Sequence, residues 1–273
     1  MNMNVVRNNS SKRINIINMH AYDKLVAFSD SSMADSSSAL NDASKYTNIS
    51  HIGCDETGSG DFFGPLCVVA CYVDERDFDW LVSIGVRDPK DMDNKELVRV
   101  AKEIKDRLIY SLLILDNSHY NAMAKAGNNL ANIKAKLYNQ AVTNVMQKVS
   151  MPIKNKLVNQ FVSPKTYYNY LKSEVIVVKD LTFVQKGEEK YLAIICSMIL
   201  SKYAYLQYFS NMSRSLKMKL PRGNSNSVDA IAIEVANKYG AKMLNKVTKT
   251  NMTNFKRIKD LIGSVSIVEG LKR

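Results

Sequence analysis

The stretch His51-Ile52-Gly53-Cys54-Asp55-Glu56-Thr57-Gly58-Ser59-Gly60-Asp61-Phe62-Phe63-Gly64-Pro65, followed at once by the apolar run Leu66 to Val73, constrains this chain more than any other. Eight consecutive apolar residues bounded by a glycine- and proline-bearing turn read as a buried strand. The turn therefore sits between sheet elements. Asp55 and Glu56 are adjacent carboxylates at its entrance, a costly concentration of charge unless a cation neutralises it. Gly58 and Gly60 let backbone approach a ligand that a side chain would keep away. Acid, glycine and sheet together point to a metal-dependent site for a phosphate-bearing substrate.

Elsewhere the pattern alternates between strand and helix, which implies an α/β layer structure. Asp93-Asn94-Lys95-Glu96 has the spacing of a capping box, with Glu96 expected to reach back to the cap. The helix behind it places Leu97, Val100, Ala101, Ile104, Leu108 and Leu112 on one face. A β-run is expected over Leu112 to Leu115, and a second amphipathic helix over Asn128 to about Val149. Lys156 to Phe161 and the β-branched run Glu174 to Val178 read as strands. Glu189 to Tyr205 is apolar on nearly every side and reads as a central buried helix, too short and too charged at its flanks to be a membrane span. A further helix is expected from Asp229 to about Lys238.

Residues 1–47 are rich in Ser and Asn and read as a poorly ordered segment and linker. Residues 48–273 read as the catalytic domain. The four cysteines, Cys54, Cys67, Cys71 and Cys196, lie in apolar segments without CxxC spacing, as expected of buried, reduced thiols in a cytoplasmic protein. No secretory signal pattern is seen at the N-terminus. The net charge is +12, and residues 214–273 hold 13 Lys/Arg against 4 Asp/Glu. That imbalance fits a polyanionic partner.

Paired carboxylates suit phosphodiester hydrolysis, in which two divalent ions roughly 4 Å apart activate water and stabilise the leaving oxygen. Mg²⁺ takes hard oxygen ligands of this kind. Two rival chemistries fit poorly. The spacing Gly58-x-Gly60-x-x-x-Gly64 departs from a dinucleotide loop, and the acids around it would repel a pyrophosphate. His20, His51 and His119 are the only histidines, and none stands in a recognisable triad motif.

The run Cys54 to Pro65 resembles the signature of type 2 ribonucleases H, and specifically of ribonuclease HIII, D-E-x-G-x-G-D-[YF]-F-G-P. Gly85-Val86-Arg87-Asp88-x-Lys90 resembles its G-V-x-D-S-K turn. Tyr120-Asn121, Asn129 to Asn132, Lys134-Ala135 and Asn139-Gln140 resemble the Y-N…N-x-N…K-A…H-N-Q segment. Gln160-Phe161, Lys186-Gly187-Glu188, Ser197 to Lys202, and Leu220-Pro221-x-Gly223 with Val228-Asp229 keep the family's order. The resemblance covers about residues 50–258.

It implies a ribonuclease H-like α/β fold, with a mixed central sheet flanked by helices and a helical C-terminal part. It also implies endonucleolytic cleavage of the RNA strand of RNA–DNA hybrids, leaving 5′-phosphate and 3′-hydroxyl ends. Mg²⁺ or Mn²⁺ would serve, as two ions, in a monomer with no membrane and no small-molecule cofactor. The family's metal-holding acids correspond to Asp55, Glu56 and Glu188, while the fourth falls on Asn159, where the family has Asp. The backbone of Gly58, Ser59 and Gly60 would read ribose 2′-hydroxyls, and Lys90 and Lys249 would contact backbone phosphates. The chain departs from the pattern at Pro89, Tyr138 and Asn251, where the family has Ser, His and His. Residues 1–47 are also shorter than the family's usual TATA-binding-protein-like domain, which leaves hybrid affinity to the basic C-terminal segment. Asn159 offers a neutral amide where an anionic ligand is expected, so the alternative reading is an impaired relative that binds hybrids without efficient cleavage.

Overall fold

The computed structural model describes residues 45–270, with side chains to residue 261. The segment expected to be poorly ordered thus lies, up to residue 44, outside the described residues. Among the described residues five strands form one sheet: β1 (His51–Thr57), β2 (Leu66–Val73), β3 (Ile109–Leu115), β4 (Asn155–Asn159) and β5 (Thr182–Val184). Their order is β3-β2-β1-β4-β5. The β1–β2 and β2–β3 pairs are antiparallel, whereas β1–β4 and β4–β5 are parallel. The sheet is mixed, and β1 stands at its centre with one neighbour of each kind.

Nine helices accompany the strands among the described residues: α1 (Phe78–Ser83), α2 (Asn94–Arg107), α3 (Asn117–Lys125), α4 (Leu130–Lys148), α5 (Pro164–Tyr170), α6 (Leu192–Ser215), α7 (Asn226–Tyr239), α8 (Ala241–Val247) and α9 (Thr253–Gly270). Period-two alternation along β2 divides the core. Val69, Cys71 and Val73 pack against α2 and α6, while Leu66, Val68 and Ala70 pack against α4 and α5. A third cluster joins Phe62 and Phe63 of the turn to α7, α8 and α9. The C-terminal helices thus clamp the glycine turn from behind.

The longest helix lies directly on β1. A Cβ at Gly53 would stand 2.2 Å from the backbone nitrogen of Ile194, so only glycine permits this approach. Ser197 Oγ donates to the Gly53 carbonyl at 2.8 Å, and Ser201 meets Thr57 at 2.9 Å. His51, fully buried, accepts from the Ala193 N–H through Nε2 at 3.1 Å, and its Nδ1 meets the Ile49 carbonyl at 2.6 Å. Burial pushes its pKa down to about 4, so the ring is neutral at pH 7. At 24 residues α6 is long and apolar enough to cross a membrane, longer than its sequence pattern suggested. It is a core helix because it is packed between β1, β2 and α2.

Several expectations require correction. Asp93 does cap α2, accepting from the Glu96 N–H at 2.8 Å, but the Glu96 carboxylate turns away to pair with Arg87. Leu112 belongs to β3 and not to the helical face. Glu174 to Val178 forms no strand. Asn139 of α4 captures that backbone, donating to the Ile176 carbonyl at 2.7 Å and accepting from the Val178 N–H at 2.9 Å. Val175 and Ile176 are left at the surface, 89% and 56% exposed, while Val178 is buried against α4 and α5. The fifth strand is instead the short Thr182–Val184.

Candidate active site

The site forms where β1, β4 and β5 end together. Parallel register pairs Cys54 with Val158, which sets Asp55 beside Asn159 one step further on. Asn159 Nδ2 donates to Asp55 Oδ2 at 2.9 Å, and Gly187 N–H donates to Asn159 Oδ1 at 3.4 Å. The residue after Gly187 is Glu188, in a single turn of 3₁₀ helix (Gly187–Glu189) behind β5. Asp55, Asn159 and the Glu188 turn are therefore linked in series across three strand ends. In α/β sheets this carboxyl edge is where ligands bind.

Adjacent residues on a straight strand face opposite ways, yet Asp55 and Glu56 share a partner. The Tyr138 hydroxyl donates to Asp55 Oδ1 at 3.2 Å and to Glu56 Oε2. The Glu56 N–H itself donates to Asp55 Oδ1 at 2.7 Å. Glu56 Oε1 meets the ammonium of Lys134 at 2.5 Å, in a pair whose side chains are almost wholly buried. Lys134 Nζ also lies 4.0 Å from the centre of the Phe161 ring, whose negative face favours the cation. Both oxygens of Glu56 are thus already engaged. Burial, and next the charge of Glu56, push Asp55 up to a pKa of about 7.

Glu188 is placed differently. Its Oε2 is buried without a hydrogen-bond partner, and Oε1 lies 3.9 Å from Lys90 Nζ. A buried carboxylate oxygen with no donor is costly and points to a cation it can meet. Lys90 is 73% exposed and also stands 3.6 Å from Asp88, on the rim where a phosphate contact was expected.

The glycine turn has one closed and one open position. Gly58 adopts φ +94°, and a Cβ there would fall 2.3 Å from the Pro65 carbonyl. Gly60 has nothing within 4 Å of its Cβ position, and Ser59 is half-buried. Among the described residues, the N–H groups of Ser59 and Gly60 make no hydrogen bond within the protein. Gly60 is exposed, and the backbone beside it is fixed at Gly58 and Phe62.

Two expected roles change in the structure. Lys249 is fully buried, and its Nζ donates to the Asp61 and Gly64 carbonyls at 2.7 Å each, so it braces the turn and cannot reach a phosphate. Burial, opposed by Asp61, lowers its pKa to about 8. Asn159 presents its amino group to Asp55, as an anionic neighbour demands, and its oxygen to Gly187; it is not displayed as a metal ligand. Among the described residues no three His, Cys, Asp or Glu side chains form a ready metal cluster. Sequence reasoning passed over Lys134 and Tyr138 as site residues, although apolar residues three and four positions away (Leu130, Ala131 and Leu137; Ala135, Ala141 and Val142) marked both as inward-facing.

The Ribonuclease HII family model matches residues 52–255. The chain belongs to this family. Ribonuclease HIII of Bacillus cereus strain AH187 is 37% identical over 209 residues, covering 76% of this chain and 67% of that protein. Ribonuclease HIII of Bacillus anthracis matches to the same extent. Among solved structures, Bst-RNase HIII in complex with Mn²⁺ aligns with a TM-score of 0.76 at 26% identity, over 85% of this chain and 76% of that one. The ribonuclease H2 of Pyrococcus horikoshii shares the fold, with a TM-score of 0.65 at 17% identity over 78% of this chain and 98% of that one. The ribonuclease HII family fold therefore extends over the sheet and the helical C-terminal part alike.

Proposed function

We propose that this member of the ribonuclease HII family is an endoribonuclease that cleaves the RNA strand of RNA–DNA hybrids, as a monomer in the cytoplasm. The observation that carries the reading is the turn from Asp55 to Gly60. It ends a central strand beside a buried carboxylate, its Ser59 and Gly60 N–H groups have no partner within the described residues, and Gly60 is exposed with open space around it. Such a backbone surface can approach a ribose closely enough to test for a 2′-hydroxyl, which DNA lacks. The four cysteines are buried and free, which fits a reducing compartment.

The donor set suits a hard divalent ion. Asp55 and Glu188 would hold it, with Glu56 beside them, and Mg²⁺ or Mn²⁺ is the cation that such oxygens prefer. The solved Mn²⁺ complex of Bst-RNase HIII supports this choice. When bound, the ion supplies water activation near neutral pH and charge stabilisation on the leaving oxygen. The protein's own residues supply the rest. Asn159 and Tyr138 orient Asp55, Lys134 fixes Glu56, the Ser59 and Gly60 N–H groups position the ribose, and Lys90 steadies an adjacent phosphate.

The test is a substrate panel. End-labelled hybrid, all-DNA and all-RNA duplexes are incubated with the protein in Mg²⁺ or Mn²⁺. Internal cuts confined to the RNA of the hybrid, with 5′-phosphate on the products, are expected. An intact hybrid, or cleavage of the all-DNA duplex, would refute the reading.

A further inference from the structure

A groove of about 610 Å³ lies between α3, α8 and the turn after α8. Its lining includes Ser118, Asn121, Lys125, Lys242, Lys246 and Asn251, and no carboxylate. The three lysines are exposed, and none takes part in an ion pair among the described residues. Three unpaired ammonium groups around one amide- and hydroxyl-lined depression form a concentrated positive field.

The floor is built and not incidental. Asn121 Nδ2 donates to the carbonyls of Asn245 at 2.8 Å and Thr248 at 2.9 Å, while its Oδ1 accepts from the Thr250 N–H at 2.9 Å. One side chain thus ties α3 to α8 and to the turn that carries Lys249. The same framework holds the glycine turn: Asn117 of α3 donates to the Gly64 carbonyl at 2.9 Å, as Lys249 does from the other side. The groove and the glycine turn consequently share one hydrogen-bonded framework.

The position is also suggestive in scale. The strand α3 follows, β3, is parallel to β1, so its carboxyl end lies on the same edge of the sheet as Asp55. Four strand spacings of about 4.8 Å separate β3, which leads into the groove, from β5, which leads to Glu188, so these two strands are about 19 Å apart. A duplex carrying one phosphate per roughly 1.7 Å of axis presents many charges over that span.

We propose that this groove is a second binding site, for the phosphodiester backbone of the nucleic acid whose RNA strand lies at the glycine turn. The site rests on the proposed function for the identity of its ligand, but not for its polyanion chemistry. It anchors the duplex away from the reacting bond and acts on affinity, not on the chemical step.

The test compares the parent with Lys125→Gln/Lys242→Gln/Lys246→Gln and with a control of equal charge change, Lys102→Gln/Lys154→Gln/Lys172→Gln. Binding of a labelled hybrid is followed by anisotropy over a salt series, and cleavage is measured alongside. Each lost phosphate contact lowers the slope of log K against log salt by about 0.9. The groove variant is expected to lose two to three in slope and to raise KM at least tenfold, with kcat within about twofold of the parent. The control should stay within about twofold throughout. A groove variant indistinguishable from the control overturns the proposal, as does a fall in kcat with KM unchanged. If the parent binds hybrid but fails to cleave it, the proposed function falls, while the salt slopes still decide the groove.

Discussion

The two turns that meet at the site are held in opposite ways. The glycine turn, residues 58–65, is gripped from several elements at once: Phe62 N–H donates to the Gly223 carbonyl at 2.9 Å, Lys249 N–H to the Phe62 carbonyl at 2.9 Å, and Gly223 N–H to Asp61 at 2.6 Å. The Tyr205 hydroxyl and the buried Lys249 ammonium take further carbonyls. The turn carrying Glu188 follows a three-residue edge strand and begins at Lys186, a non-glycine residue with φ +51°. Its carboxylate retains an unpartnered oxygen. The contrast fits the different work proposed for each turn. A surface that distinguishes ribose from deoxyribose must be rigid before the substrate arrives, whereas a ligand arm at the sheet edge can be completed by the cation it binds.

Breaking the rigid turn should have the largest effect on stability. Gly58→Ala forces a left-handed backbone onto alanine and drives its Cβ into the Pro65 carbonyl, at a cost of about 2–4 kcal/mol. Calorimetry should show Tm falling by roughly 5–15 °C, together with loss of cleavage. Lys249→Met removes two buried hydrogen bonds to the Asp61 and Gly64 carbonyls, for about 1–3 kcal/mol at pH 7. Its pH dependence sharpens the point. The folded pKa of about 8 lies below the unfolded value near 10.5, so the parent should gain stability relative to the variant as pH rises from 8 to 10.5. A lysine that merely touched phosphate would show neither effect.

His51, under the strand that carries Asp55, gives the next effect. Its folded pKa of about 4 lies below the unfolded 6.5, so the parent loses stability as pH falls through that interval, by up to about 3 kcal/mol. In His51→Gln, denaturant midpoints measured from pH 7 to 4 should lose most of that dependence. Glu188→Gln is expected to change stability least, by under about 0.5 kcal/mol without divalent ions, because no protein donor is lost from Oε2. Cleavage should nevertheless fall by at least about a hundredfold.

How much of this was legible in the sequence depends on where the determining contact lies. The strand Leu66–Val73 and the helices around Leu97 and Ile195 were readable because periodicity and composition are local. The short helices α1, α3 and α5 were missed, since six to nine residues give little period to read. The Val175 to Val178 run has strand composition, but Asn139, distant in sequence, takes its backbone hydrogen bonds. At the site, the motif named Asp55, Glu56 and Glu188 as candidates. It could not show that Glu56 is neutralised by Lys134, that Asn159 donates to Asp55, or that Lys249 is interior, because each depends on partners from another element.

The contrast between a fully partnered pair and a waiting arm is tested most directly by Mn²⁺ binding, followed by calorimetry and by the ion-induced rise in Tm in the absence of substrate. The parent should bind the ion and gain stability, with Glu188→Gln and Asp55→Asn each losing most of that gain while remaining folded. Binding to Glu188→Gln as tight as to the parent would contradict the account, because the unpartnered oxygen at the sheet edge would then have no cation to meet.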